Sequence, residues 1–413
     1  MKAPKEHPAA ADADYSLEPV PKTARKKFWP MFFIMLGFTF FSASMSVGAS
    51  LGNGLDLSGY AGAVLLGSLI LSLYTGGLGY IGSATGMSLD LLAQRSFGRY
   101  GSYLPSALIS FTQIGWFGVG VAMFAVPAAE VLHVSPWLLV ILAGVCMTGS
   151  AYFGIRGLEI VSYISVPLIT ILGVYSMVTA TIEGGGLVGI FAKSAGGLTL
   201  FGGVALVMGS FVSGGTATPN FTRFANNNKN AVITTVVAFF LGNALMFAFG
   251  AVGGAFTGKD DIFYVMIAQG LMIPALIVLG ANIWTTNDNA LYTSGLGLSN
   301  ITKIRKRPMV LAAGIVGTLT AIWLYNNFIA FLNILNATLP PVGALVILDY
   351  FLHKDRYAPG AEVTRKVNWG AILGVAGGAL VGNLVKWGIA SVNAMAVACV
   401  IYLIFDKLVK TDA

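Results

Sequence analysis

From Gly280 to Tyr292 the chain reads Gly-Ala-Asn-Ile-Trp-Thr-Thr-Asn-Asp-Asn-Ala-Leu-Tyr, directly after the apolar run Leu271 to Leu279. The run's length and apolarity predict a membrane-crossing helix whose second half is polar. Polar groups in hydrocarbon have no water partners, so each costs free energy unless something specific pairs with it. Asn282, Thr285 and Thr286 stand at i, i+3 and i+4 and share one helical face. Their side-chain oxygens are of the kind a small hard cation prefers. Asn287, Asp288 and Asn289 are expected to turn to neighbouring faces and to suit a polar solute. Helix–helix hydrogen bonding is the blander explanation of Thr and Asn in a bundle. So many polar groups at one depth favour a site.

A second cluster lies in Thr112 to Ala125, which contains Gln113, Trp116 and the glycines 115, 118 and 120. Trp116 falls about halfway along its span, away from the interfaces where Trp usually anchors. Trp29, Trp137, Trp323, Trp369 and Trp387 all lie near span ends and suit that anchoring role. Gln113 is one turn from Trp116, and the glycines leave room for something flat. Phe211 offers a second ring. A planar ligand between Trp116 and Phe211 gains stacking as well as apolar burial. Gln113, Ser210, Ser213, Asn287 and Asp288 supply donors and acceptors for its edge. Asp288 is the one carboxylate expected well inside a span; Asp349, Glu130 and Glu159 fall near span ends, within reach of water. Asp288 has three available roles: accepting from a ligand amino group, carrying a proton, or holding helices together.

Helices must position these groups. The 413 residues have a mean hydropathy of +0.78, are 56% hydrophobic and only 10% charged. Several runs approach the ~20 residues that cross a bilayer, so the composition implies an all-α polytopic membrane protein. Twelve spans are expected, near 29–50, 59–83, 104–129, 136–154, 158–182, 198–221, 231–256, 269–295, 308–325, 327–352, 367–384 and 388–408. With a cytoplasmic N-terminus, all the Lys and Arg except Lys193, Lys259 and Lys386 fall on the cytoplasmic side, 21 of the 24. That bias follows the positive-inside rule and puts both termini in the cytoplasm. The formal charge of +7 is spread through loops and is no nucleic-acid signature. Residues 1–27 form a polar tail with no signal-peptide core. Segments 84–103 and 257–268 fit short interfacial helices. Cys146 and Cys399 lie inside apolar runs and are expected to be small buried hydrophobes without a disulfide.

Span 1 carries Gly37-Phe38-Thr39-Phe40-Phe41-Ser42, and span 6 carries Gly209-Ser210-Phe211-Val212-Ser213-Gly214-Gly215-Thr216. Both put small and polar residues mid-span, where a continuous helix would hold Leu and Ile. Five spans separate the two. An odd repeat length inverts the second copy, which is a design of secondary transporters whose broken helices line a central site.

With MLGFTFFSASM (35–45), TQIGWFGVGVAMFA (112–125), GSFVSGGT (209–216), MIAQG (266–270), NIWTTNDNALY (282–292), WLYNNF (323–328) and PPVG (340–343), the chain resembles the nucleobase–cation symport family from about Pro21 to Leu408. The resemblance implies a five-plus-five inverted repeat, 28–182 and 198–352, with spans 1 and 6 broken. Two further helices (367–408) and a short tail (409–413) follow. It also implies a flat heterocycle between Trp116 and Phe211, with Gln113 at its edge. The implied cation site uses the backbone carbonyls of Gly37 and Phe40 together with Asn282, Thr285 and Thr286.

The expected function is secondary active import of cytosine across a bacterial inner membrane, coupled to Na⁺ and working by alternating access. No phosphate-binding loop is present to couple nucleotide hydrolysis. No cofactor is expected beyond the co-transported ion, and the chain is expected to be a monomer in the lipid bilayer. Uracil, a purine or a hydantoin is the alternative cargo, and a proton the alternative ion. A channel would need a continuous pore lining. An enzyme would need a nucleophile or metal-ligand cluster, yet His7, His133 and His353 all fall in loops or the tail.

Overall fold

The computed structural model describes residues 14–327, 337–385 and 387–411. Among them regular structure is helical throughout, apart from an isolated bridge between Lys26 and Ala225. The first expected span is two helices, α1 (Phe28–Thr39) and α2 (Ser42–Gly54). Next come α3 (Leu57–Thr85), α4 (Leu89–Phe97), α5 (Tyr103–Leu132), α6 (Pro136–Tyr152), α7 (Ile155–Glu183) and the short α8 (Gly186–Phe191). The second half has α9 (Leu200–Gly215), α10 (Pro219–Thr222), α11 (Asn228–Val237), α12 (Asn243–Thr257), α13 (Ile262–Ala268), α14 (Met272–Thr302) and α15 (Lys306–Asn326). It closes with α16 (Pro340–Leu352), α17 (Trp369–Leu384) and α18 (Ala390–Thr411).

By length and apolarity, α3, α5, α7, the joined α11–α12, α15 and α18 can each cross a membrane, and the bent α1–α2 pair can do so as a unit. Helices α6, α9, α16 and α17 are apolar but shorter. The polar run described above lowers the apolarity of α14, although it is 31 residues long. The start of the expected tenth span (328–336), the tail to residue 13, Lys386 and residues 412–413 lie outside the described residues. Helices α4 and α13 fall in the two segments where short helices were expected.

The α1–α2 pair bends by 57° at Phe40 and Phe41. Both residues are extended, and the run Thr39-Phe40-Phe41 is of the β-branched and aromatic type that favours such backbone. The last bond of α1 runs from Phe40 N–H to the Leu36 carbonyl, so the carbonyls of Gly37, Phe38 and Thr39 lie past the helix ladder. Helix α9 stops at Gly215; a turn over Thr216–Thr218 leads into α10, with Pro219 in its first turn. A π-helical turn, Ala238–Gly242, joins α11 to α12; such turns frequently mark functional sites.

Helix α2 lies so close to α12 that only glycine fits. A methyl on Gly250 would overlap the Met45 carbonyl, and one on Gly48 the Phe247 carbonyl. Outward faces carry Leu65, Leu69 and Leu73 of α3 and Ile141, Leu142 and Val145 of α6, all exposed. Trp29, Trp137, Trp323, Trp369 and Trp387 are exposed too, as interfacial anchors are. Two expectations need correcting. Cys146 is exposed and Cys399 half-buried, though both are free thiols; in a lipid-facing helix an apolar run does not imply burial. Asp349 is fully buried, bonded by Arg356, Tyr357 and Tyr402.

The close α2–α12 contact gives a first prediction. Gly250→Val is expected to destabilise the protein by about 1–3 kcal/mol, the usual cost of overpacking. Gly149, where an added methyl would meet nothing within 4 Å, should accept alanine without loss. Thermal unfolding in detergent, monitored by intrinsic fluorescence, checks both.

Candidate functional site

The break in the first span and the polar half of α14 meet at the centre of the bundle. Helix α5 carries Gln113 and Trp116 one turn apart. With Phe38, Phe41, Ser210, Phe211, Gly214, Thr286, Asn287 and Ala290 they enclose a small cavity. Its water-accessible space is about 20 Å³, enough for a water molecule. Aromatic edges fill the rest. Phe41 meets Trp116 edge-on at 5.4 Å between ring centroids, and Phe38 meets Phe211 edge-on at 5.2 Å. Phe239 packs on Phe211 at 5.5 Å from behind.

Two polar atoms of the cavity's residues have no hydrogen-bond partner: Gln113 Nε2, a donor, and Asn287 Oδ1, an acceptor. Asn287 Nδ2 donates to the Phe117 carbonyl at 3.2 Å and to Met147 Sδ, which fixes the amide's orientation. Gly120 leaves space for that amide; a methyl there would overlap Asn287 Oδ1. Buried donors and acceptors are nearly always paired, so an unmatched pair in a cavity wall indicates where a polar edge fits.

Beside this cavity is a group of neutral oxygens. Thr286 Oγ1 donates to the Phe40 carbonyl at 2.8 Å, joining α14 to the break. Thr285 Oγ1 donates to the Asn282 carbonyl at 3.0 Å. Gly37 packs against Thr285 and against Ser162 of α7, whose Oγ is buried and unpartnered. Asn282 does not contribute its amide as its spacing suggested. That side chain accepts from Ser42 Oγ at 3.0 Å and donates to Met246 Sδ, leaving only the Asn282 carbonyl in the group. The residues present fit a small cation: carbonyl and hydroxyl oxygens with no charge among them. Thr286 both lines the cavity and bonds the break, so the two regions share a residue.

Gln113, Trp116, Ser210, Phe211 and Asn287 therefore come together at the cavity, and Gly37, Phe40, Thr285 and Thr286 at the oxygen group. Ser213 is buried with an unpartnered Oγ and is not in the cavity wall. Asp288 is not in the wall either. Its Oδ1 accepts from Ser150 Oγ of α6 at 2.7 Å, and Ser150 Oγ accepts from Trp284 Nε1 at 2.8 Å. One residue's rotation from Asn287 turns it to α6, so it joins helices instead of facing the cavity. Asn289, expected on a solute face, stands at i+4 from Thr285 and donates Nδ2 to the Thr285 carbonyl at 2.7 Å. Sequence reading missed Phe38, Phe41 and Ser162. The aromatic-rich run 38–41 carried a signal for the first two; Ser162 had none.

The cavity is flanked unequally. On one side a vestibule of about 550 Å³ is lined by Ser42, Ser46, Asp260, Asp261, Tyr264 and Tyr325 among others. Burial pushes the Asp261 carboxyl up to about 6. At the opposite end of the bundle the N-terminal segment forms a seal. Asp14 pairs with Lys306 at 2.8 Å and accepts from Ile155 N–H at 3.0 Å. Arg223, fully buried, donates to the Asp14 and Tyr15 carbonyls and to Tyr292 Oη at 2.7, 2.8 and 2.9 Å.

The Asp288 geometry predicts that Asp288→Ala lowers stability by about 1–3 kcal/mol, through loss of the hydrogen bond donated by Ser150, and leaves ligand preference unchanged. Thermal unfolding together with ligand competition on the same variant checks this.

Comparison with known proteins follows the same lines. A family model described as permease for cytosine/purines, uracil, thiamine and allantoin matches residues 19–404. The chain is 49% identical over 406 residues to a cytosine permease of Escherichia coli (strain K12), covering 97% of each. It is 23% identical to a hydantoin permease of Microbacterium maritypicum, covering 70% of this chain and 67% of that one. In fold it matches a nucleobase-cation-symport-1 family transporter in a closed conformation with bromovinylhydantoin bound, at a TM-score of 0.80 and 18% identity, over 95% of both chains. It also matches a Na⁺-coupled sialic acid symporter in a substrate-bound outward-open state, at 0.73 and 17%, over 96% of this chain and 92% of that one. These proteins are permeases and symporters, not enzymes, and the chain belongs to the nucleobase–cation symport family.

Proposed function

We propose that the protein imports cytosine by Na⁺ symport with alternating access. The observation that carries this reading is the Thr286 Oγ1 bond to the Phe40 carbonyl, which ties the oxygen group to the ring-lined cavity. A cation held by the Gly37, Phe40 and Asn282 carbonyls with the Thr285 and Thr286 hydroxyls would pin the break to α14. Pinning the break fixes Phe38 and Phe41, two walls of the cavity. Cation and solute then strengthen each other's binding, a coupling that is reciprocal by linkage. The name of the 49% identical relative supports cytosine as cargo. The neutral oxygen set supports Na⁺, as does the likeness in fold to a Na⁺-coupled sialic acid symporter. Asp288, the carboxylate available for a proton route, is engaged with α6 instead.

Cytosine would lie between Trp116 and Phe211. Its amino group would donate to Asn287 Oδ1, and a ring acceptor would accept a hydrogen bond from Gln113 Nε2, with Ser210 beside them. This reading moves the amino-group acceptor from Asp288 to Asn287. Counting α1–α2, α9–α10 and α11–α12 as one span each, beside α3, α5, α6, α7, α14, α15, α16, α17 and α18, gives twelve. The charge bias then puts the Asp14–Lys306 seal on the cytoplasmic side and the vestibule outside, with the chain as a monomer in the inner membrane.

Three outcomes test this. Trp116→Ala should weaken cytosine binding at least tenfold, because the lost stack and burial exceed about 1 kcal/mol, while Trp116→Phe keeps part of it. Isothermal titration on purified protein measures both, and unchanged affinity in the Ala variant overturns the stacking. Asn287→Leu should narrow the preference for cytosine over uracil, since a site with a dedicated acceptor penalises a ligand lacking the donor. Competition for labelled cytosine checks that. Thr286→Ala should raise the Na⁺ concentration for half-maximal cytosine binding, and saturating Na⁺ should restore most of the affinity. A Na⁺ titration with choline as replacement tests this; wild-type binding that ignores Na⁺ and follows pH would replace the sodium reading with a proton one.

A further inference from the structure

Beyond the oxygen group, the same face of α14 continues toward the Asp14 seal. Asn289 stands one turn past Thr285 and Thr293 two turns past it, and both are fully buried. Each keeps an oxygen without a partner: Asn289 Oδ1 and Thr293 Oγ1. Buried hydroxyls in a membrane helix normally donate to a carbonyl one turn back. Thr285, Ser294 and Ser299 on this helix all do, and Thr286 donates to the Phe40 carbonyl. Thr293 does neither. Asn289 Nδ2 is spent on the Thr285 carbonyl, so what remains of that amide is a bare acceptor. Beside Thr293, Tyr292 receives the Arg223 bond and lies under the Lys306 ammonium at 4.5 Å. The unpartnered oxygens thus run from the oxygen group to the seal.

We propose that Asn289 Oδ1 and Thr293 Oγ1 form a transit site, distinct from the principal one, that takes over the small monovalent cation as it leaves toward the seal. This rests on the cation-coupled reading above. Two neutral oxygens suit the task. They replace part of the ion's hydration shell, yet without a carboxylate they hold it weakly enough to let it go, the balance that conduction through successive sites requires. The ion would wait there until the Asp14–Lys306 and Arg223–Tyr292 contacts part.

The test uses full-length protein with Asn289→Leu, Thr293→Val and the double substitution, plus Thr293→Ser, which keeps the oxygen. Three readouts separate the sites: half-maximal Na⁺ for cytosine binding in detergent, net cytosine uptake into proteoliposomes driven by a Na⁺ gradient, and cytosine counterflow with saturating Na⁺ on both sides. The double variant should bind with a half-maximal Na⁺ within twofold of wild type, which also shows that it folds. Its net uptake should fall at least tenfold and its counterflow by less than threefold, because release of the ion limits only net transport. Thr293→Ser should transport like wild type. Net uptake of the double variant within twofold of wild type overturns the transit site. So does a rise in half-maximal Na⁺ as large as that of Thr286→Ala, which would put these residues in the principal site. Wild-type binding indifferent to Na⁺ overturns the parent reading and this proposal with it.

Discussion

One interaction organises the centre of this protein: a hydroxyl of α14 bonded to a carbonyl that has left its helix. Phe40 and Phe41 are extended and buried, so their backbone groups need partners outside a helix ladder. Thr286 supplies one for Phe40, and Ser44 N–H supplies one for the Phe41 carbonyl. The break is thereby tied to another helix. The polar run of α14, costly in hydrocarbon by itself, is placed where it serves that tie. The rings on either side of the break, Phe38 and Phe41, then have no freedom to sit elsewhere than beside Trp116 and Phe211.

The two ends of the bundle use charge differently from the middle. Buried charges are costly unless paired and hydrogen-bonded, and the Asp14–Lys306 pair and Arg223 sit at the end of the bundle, not in the oxygen group. Lys306 and Arg223 meet the Asp14 segment at the seal, where each contact is an ion pair or a charge-assisted hydrogen bond. Such contacts are strong while formed and can be exchanged for water when the end opens. Neutral carbonyls and hydroxyls in the middle can bind an ion without trapping it. A carboxylate in the oxygen group would hold a cation more tightly; the membrane carboxylate nearby, Asp288, is turned to α6.

Much of this was legible in the sequence. Apolar length predicted the helices. The small and aromatic residues at 37–42 marked the break, and the i, i+3, i+4 spacing of Asn282, Thr285 and Thr286 picked out the face of α14 that meets the break. Trp116, Gln113 and Phe211 were identifiable because each is the wrong residue for its depth in a simple span. What was not legible was rotation and partnership. Asn287 and Asp288 are adjacent and chemically alike, and a 100° step sends one to the cavity and the other to α6. Asn289 belongs to the Thr285 face at i+4, although it was grouped with its neighbours in sequence. Asn282 keeps its place through its carbonyl while its amide turns to Ser42. The seal was invisible because Asp14 and Lys306 are nearly three hundred residues apart, and no periodicity connects a tail to a helix start.

The claim at the centre is that the oxygen group on α14 and the break carries Na⁺ together with cytosine. Its most direct test follows radiolabelled Na⁺ and labelled cytosine at once into proteoliposomes, with a proton ionophore present throughout. The account predicts that both enter in a fixed ratio, that each flux vanishes without the other solute, and that the ionophore changes neither. Cytosine uptake that proceeds without Na⁺ entry and collapses when the proton gradient is removed would contradict it.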